Sequence, residues 1–136
     1  MSKPESAWRL RARTLAAMAL LVAAQALVRI VPLARWRGWP GLAGAAAPHR
    51  QSEARRLAIH VERAAARLPW GALCLPRAIA LSALLKNRNI PHQVVIAIRP
   101  AGQRGEADAL HAWIDCGGIV VLGALEGPWH ELARLP

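Results

Sequence analysis

The sequence predicts an α+β fold in which helices come first and a small antiparallel sheet follows. Segments rich in Ala, Leu and Arg with helical spacing predominate before Pro91, whereas β-branched segments separated by Gly and Pro follow it. At 136 residues with 54% hydrophobic side chains, the chain is large enough for one domain with a modest core. We expect one structural domain overall, with an N-terminal apolar and basic helix and connector over residues 1–48 and the core over residues 49–136.

The charge of the chain is strongly positive, with 18 Lys and Arg against 8 Asp and Glu and a formal net charge of +10. Such a surface attracts nucleic acid, an acidic peptide or a membrane face, although solvated arginines explain it equally well. The arginines are scattered and no aromatic-interleaved RNA signature is present, so we expect no nucleic-acid partner. The two cysteines, Cys74 and Cys116, are too few for a disulfide framework, and we expect two reduced thiols in the cytoplasm rather than one disulfide. We also expect no cofactor and no metal.

The first predicted element is a helix from Ala7 to Val31. Three arginines precede an uncharged run from Thr14 to Val28, which is shorter than the roughly 18 apolar residues of a membrane span. The helix is therefore buried or covered by a partner, or it belongs to a signal peptide with a small-x-small site at Ala24–Ala26, or it attaches to a membrane surface. The unpaired cysteines and Arg29 favour the first interpretation, with membrane association kept open.

The next stretch, residues 32–48, contains too many Gly and Pro residues for a regular element, and we interpret it as a connector. Its Trp36 and Trp39 are expected to pack onto the body of the protein. A helix is then predicted from Gln51 to Leu68, because its apolar residues recur at intervals of three and four. Ser52 is the expected N-cap, and the following proline ends the helix.

A third helix is predicted to start at Pro76, whose fixed φ and missing N–H suit a first helical position. Cys74 then lies just ahead of a helix N-terminus, where free N–H groups and the helix dipole favour a thiolate. The helix ends near Lys86, because Asn89 suits a left-handed C-terminal position and Pro91 forbids continuation.

Three short strands are predicted after this helix. They span Val94–Ile98, Leu110–Cys116 and Ile119–Leu122, and Gly117–Gly118 forms a two-residue turn between the last two. The segment Trp129–Leu135 is predicted to form a short turn of helix.

Strand alternation places His111, Trp113 and Asp115 on one face of the second strand. A cysteine at a helix start followed by a histidine on a strand is typical of a thiol hydrolase or acyltransferase. The alternative is that Cys74 is a small buried hydrophobe and that the histidine falls on the strand by chance. Cys116 points to the other face and is expected to serve packing.

Three motifs carry a resemblance to a known family: Cys74-Leu-Pro-Arg-Ala-Ile-Ala-Leu-Ser-Ala-Leu-Leu, then Asn89-Ile-Pro, then Leu110-His-Ala-Trp-Ile-Asp-Cys-Gly-Gly. In this order and spacing the chain resembles the lasso-peptide leader peptidases, which are transglutaminase-like (papain-like) maturation cysteine proteases. The resemblance is strong from Trp70 to Gly123 and weaker over the N-terminal helices. It implies a transglutaminase-like, papain-like core over residues 49–136, with Cys74 as the nucleophile and His111 as its base.

The same resemblance implies an activity and partners. The activity is removal of the leader from a ribosomally synthesised precursor peptide, after which an ATP-dependent ring-closing synthetase acts. No strand-rich recognition domain precedes the catalytic part, so a separate small leader-binding protein is implied. Two alternatives are kept, of which the first uses the same catalytic residues and the second uses no catalytic residue. They are acyl transfer to another acceptor, and a non-catalytic peptide- or membrane-binding protein on a degenerate transglutaminase-like fold.

The third catalytic member departs from the family pattern. The family often has an acid about a dozen residues after the histidine, and Gly123 stands there. Asp115 lies four strand residues from His111, roughly 13 Å at 3.3 Å each, too far for a direct hydrogen bond. Glu126 is a second candidate acid, and a backbone carbonyl or a water is the alternative orienting group. From the turn we expect Gly123 to pair with Ala112.

Trp113 has two interpretations. Its indole ring walls the site and shields the Cys–His pair from water, or it only packs in the core.

Overall fold

The computed structural model describes residues 7–36, 38–68, 74–99, 110–123 and 128–135. Helices occupy the first part of these ranges and strands the second, which confirms the predicted α+β order. The elements are α1 (Ala7–Ile30), α2 (Leu33–Trp36), α3 (Pro48–Arg67), α4 (Cys74–Asn87), β1 (Gln93–Ile98), β2 (Leu110–Cys116), β3 (Ile119–Leu122) and β4 (His130–Leu135).

The strands form one antiparallel sheet in the order β3-β2-β1-β4. The fourth strand corrects the prediction of a helical turn after Trp129. It pairs with β1 from Val94↔Leu135 to Ile98↔His130, with a bulge between Ile96 and Ala97. This pairing satisfies the backbone groups along the outer edge of β1, and that gain decides the conformation of a short segment whose local propensity is weak.

The β2–β3 hairpin follows the predicted turn and then departs from the predicted register. Gly117 and Gly118 have positive φ angles of 63° and 89°, as a two-residue turn requires. Cys116 pairs with Ile119 as expected, but a bulge between Ile114 and Asp115 places Ile114 opposite Leu122. The predicted register is therefore wrong by one residue beyond the bulge.

The elements pack in three layers. Helix α1 contacts α3 and α4, while α3 contacts β3 and α4 contacts β2 and β1. Helix α1 is thus an outer layer, α3 and α4 form the middle, and the sheet is the third. The core lies between them, and its largest fully buried aliphatic residues include Leu21, Val61, Leu81, Leu85 and Ile114.

Two helix starts differ from the prediction. Helix α3 begins at Pro48, and its N-cap Ala47 makes no side-chain capping bond. The predicted cap, Ser52, lies inside the helix, where its hydroxyl donates to the Pro48 carbonyl at 3.3 Å. Helix α4 begins at Cys74 rather than Pro76, because a proline in the first turn removes only an N–H that has no intrahelical acceptor.

The connector contains a regular element that was not predicted, the one-turn helix α2. Trp36 at its end is buried and donates its indole N–H to the Val31 carbonyl at 3.0 Å, whereas Trp39 remains 45% exposed. Further along, Leu42 forms a β-bridge with His92 at the start of the sheet. The connector is therefore fastened to the body at both ends.

His92 forms a buried polar chain below this bridge. Its Nδ1–H donates to the Ile90 carbonyl at 2.8 Å, and its Nε2 accepts from the Ser82 hydroxyl at 2.7 Å. Ser82 in turn accepts from the Gly41 N–H at 2.9 Å. Burial lowers the pKa of His92, since a charged ring would lose its water.

Candidate active site

Cys74 is the first residue of α4, half-buried and packed against the edge of the core. It therefore lies in the first helical turn, where backbone N–H groups lack intrahelical acceptors. The role of Cys74 as the nucleophile stays a prediction.

Helix α4 brings Cys74 toward the His111 end of β2. The Cys116 thiol at the end of β2 donates to the carbonyl of Pro91 at 3.4 Å. Pro91 follows α4 by four residues, so the end of α4 lies near the end of β2. The helix has 14 residues and the strand 7, so both are roughly 21–23 Å long. Since α4 packs along β2, its first residue lies toward the start of that strand.

The faces of β2 separate the candidate site from the core. Ala112, Ile114 and Cys116 are buried in the cluster shared with the helices, whereas His111 and Trp113 are half-buried on the other face. The imidazole therefore lies on the sheet face opposite the helices, where the paired β1 residues Val95 and Ala97 are fully buried. The pairing of Cys74 with His111 stays a prediction.

The imidazole of His111 is held by a backbone carbonyl. Its Nε2 lies 2.6 Å from the carbonyl oxygen of Gly123. A carbonyl can only accept, so Nε2 carries the proton and the neutral ring has an acceptor lone pair on Nδ1. This is the tautomer that a base needs when it takes a proton through Nδ1, and it matches the backbone alternative raised by the sequence.

The position of Gly123 explains why no side-chain acid is there. Its φ is +83°, and a Cβ would lie 2.8 Å from the Ala112 carbonyl oxygen and 3.2 Å from the Cα of Trp113. A residue with a side chain would therefore be strained and would collide with the backbone of β2. Gly123 occupies the position where the family often has an acid, and it contributes its backbone carbonyl to His111 instead of a carboxylate.

Aromatic rings surround His111. Its ring centroid lies 5.4 Å from that of Trp129 in a stacked arrangement and 6.1 Å from that of Trp113. The guanidinium of Arg99 covers Trp129 at 4.5 Å. Trp129 was missed as a site residue, because only the pairing of β4 with β1 brings it to the histidine.

Asp115 is engaged away from the imidazole. One carboxylate oxygen accepts from the Gly118 N–H at 2.8 Å, and the other lies 3.4 Å from Arg134. Arg134 also pairs with Glu131 at 2.6 Å. Asp115 thus closes the hairpin turn and joins an ion-pair network, while Glu126, the other candidate acid, lies outside the described residues.

The second thiol has the opposite character. Cys116 is fully buried, and burial raises the pKa of its thiol, with the neighbouring Asp115 carboxylate adding to the rise. A thiol that stays protonated in a packed core is a poor nucleophile. This agrees with the expectation that Cys116 serves packing.

Comparison with protein families matched the transglutaminase-like superfamily over residues 8–135. The chain belongs to this superfamily. The match runs from the start of α1 to the end of β4, so it includes the N-terminal helix as well as the Cys74 and His111 segments. Neither the curated proteins nor the solved structures contain a match.

Membership of the transglutaminase-like superfamily sets the general chemistry. Proteins with this fold are commonly cysteine hydrolases or transferases. Within the part of the chain that the structure describes, no group of three or more His, Cys, Asp and Glu side chains has the arrangement of a metal site. The described residues that the sequence predicted for catalysis are the Cys74 thiol at the start of α4 and the His111 imidazole on β2.

Proposed function

We propose that this protein is a cysteine peptidase that removes the leader from a ribosomally synthesised lasso precursor peptide. Membership of the superfamily supports the thiol chemistry, and the resemblance of the Cys74 and His111 motifs supports the substrate class. The observation that carries the proposal is the 2.6 Å contact between His111 Nε2 and the Gly123 carbonyl, because it leaves Nδ1 as the proton acceptor.

In the proposed reaction Cys74 is the nucleophile. Its thiol transfers a proton to Nδ1 of His111, and the thiolate attacks the carbonyl carbon of the scissile peptide bond. The tetrahedral oxyanion is stabilised by backbone N–H groups, among them that of Cys74. The imidazolium then protonates the leaving amine of the core peptide, and water hydrolyses the thioester left on the leader.

The carbonyl of Gly123 orients the imidazole but supports its charge less than a carboxylate would. In well-studied triads, loss of the orienting acid costs up to about 10⁴ in kcat. A separate leader-binding protein offsets part of this by positioning the scissile bond, since proximity contributes many kcal/mol. We therefore expect slow cleavage by the chain alone and strong stimulation by the leader-binding protein. The ATP-dependent synthetase then uses the released amine.

The test is cleavage of the precursor peptide, followed by mass spectrometry, with and without the leader-binding protein. Cys74→Ala and His111→Ala should abolish cleavage under both conditions. Cys116→Ala is the matched control, because this thiol is buried in the core, and it should retain cleavage. Asp115→Ala and Glu126→Ala report whether either carboxylate assists.

The outcomes separate the alternatives. Cleavage that survives Cys74→Ala would refute the enzyme, and full-speed cleavage without the leader-binding protein would refute the dependence on a partner. Transfer of the leader acyl group to an added amine in preference to water would indicate acyl transfer. Binding of the precursor without any cleavage would support the non-catalytic alternative.

A further inference from the structure

Helix α1 carries an apolar face that the described residues do not cover. Seven exposed apolar residues follow each other at alternating intervals of about four and three along the whole helix, and we call them the outer seam. The four large ones are 47–78% exposed. The outer seam comprises Trp8, Ala12, Leu15, Ala19, Val22, Ala26 and Ile30.

The outer seam points away from the rest of the molecule. The buried residues of α1 are Thr14, Ala17, Leu21 and Ala24, and at 100° per residue they lie on the opposite side of the helix. That side packs on α3 and α4, which in turn pack on the sheet. The outer seam and the sheet face that carries His111 are therefore on opposite sides of the helical layers.

Charge selects the kind of partner that the outer seam fits. Helix α1 contains four arginines and no acidic residue, and all four arginines are exposed. A second copy of the chain would bring arginines together, since antiparallel helices place the Arg9 end of one against the Arg29 end of the other. An anionic surface would instead be attracted to both ends of the helix.

We propose that the outer seam of α1 rests on an anionic membrane surface. The uncharged run alone is shorter than a membrane span, but the whole of α1 is by length and composition long and apolar enough to cross a bilayer, as are many core helices and signal sequences. Its packed side, however, belongs to the core, so the helix lies along the interface rather than across it. Trp8 near one end suits the headgroup region, and Arg11 and Arg29 flank the seam. This proposal does not depend on the peptidase activity.

The test is flotation of the full chain with vesicles of phosphatidylcholine alone and of phosphatidylcholine with phosphatidylglycerol. Binding should require phosphatidylglycerol and weaken with salt. Leu15→Glu should abolish it, whereas Leu132→Glu should not, although the two leucines are 64% and 60% exposed. Arg11→Gln and Arg29→Gln, which leave the seam intact, should each weaken binding roughly fivefold, the ratio that corresponds to about 1 kcal/mol per arginine.

Several results would overturn the proposal. They are absence of binding to both vesicles, equal binding to neutral vesicles, or equal losses with Leu15→Glu and Leu132→Glu. If sedimentation shows a dimer and Leu15→Glu dissociates it, a second copy of the chain covers the outer seam, and the membrane proposal is refuted. Leu15→Glu should leave precursor cleavage in solution unchanged. The flotation test therefore gives its result whether or not the chain proves to be a peptidase.

Discussion

Gly123→Ala tests whether the backbone carbonyl orients His111, and Gly118→Ala is its matched control. Both glycines belong to the β2–β3 hairpin and have similar positive φ angles, +83° and +89°. A Cβ at Gly118 meets nothing within 4 Å, whereas a Cβ at Gly123 lies 2.8 Å from the Ala112 carbonyl oxygen. The two variants therefore share the conformational strain and differ in the collision with β2.

The magnitudes follow from these contacts. A non-glycine residue in the left-handed region costs about 1–2 kcal/mol of unfolding free energy, and we expect this loss in Gly118→Ala. Gly123→Ala adds an overpacking cost of about 1–3 kcal/mol. The collision is relieved by moving the Gly123 carbonyl, and a displacement near 1 Å in a catalytic group lowers the rate about 10²-fold. We expect cleavage to fall roughly ten- to hundredfold in Gly123→Ala and less than about threefold in Gly118→Ala.

Three measurements check this prediction. Thermal unfolding gives the stability loss, and the precursor assay with the leader-binding protein gives the rate. Nitrogen NMR of the histidine rings reports the tautomer of His111, which should be Nε2–H in the unchanged chain and mixed in Gly123→Ala. Equal rates for the two glycine variants, or an Nδ1–H tautomer in the unchanged chain, would refute the role of the carbonyl.

Three further predictions concern the thiols, a buried histidine and the aromatic wall. Competitive alkylation at neutral pH should label Cys74 well before Cys116, because burial raises the pKa of Cys116; equal labelling would contradict the nucleophile assignment. The pKa of His92 is lowered in the fold, so its contribution to stability is present above its unfolded pKa of about 6.5 and is lost as the pH falls below it. The melting temperature should therefore drop from pH 7.5 to pH 5.5, and by less in His92→Gln. Trp129→Leu removes the ring stacked on His111 and should lower the cleavage rate about two- to tenfold. An unchanged rate would show that the ring only packs against the histidine and does not support catalysis.

Local signals in the sequence determined much of the fold. The Gly117–Gly118 turn and the alternation beside it predicted the bounds of β2 and β3 as the structure has them. Asn89 has the predicted left-handed φ, 54°, at the end of α4. Alternation also placed His111 with Trp113 on one face of β2. These features depend on residues that are close in sequence, and the sequence alone was therefore sufficient to predict them.

The tertiary structure decided the parts of the site that depend on distant residues. The bulge between Ile114 and Asp115 shifts the register and brings the Gly123 carbonyl to His111, although the turn alone predicted another pairing. The strand β4 and its neighbour Trp129 reach the site only because β1 has a free edge to pair with. A carbonyl is the same group in every residue, and a short segment takes the conformation that satisfies its backbone hydrogen bonds. Residue types along the chain therefore could not identify the group that orients the histidine.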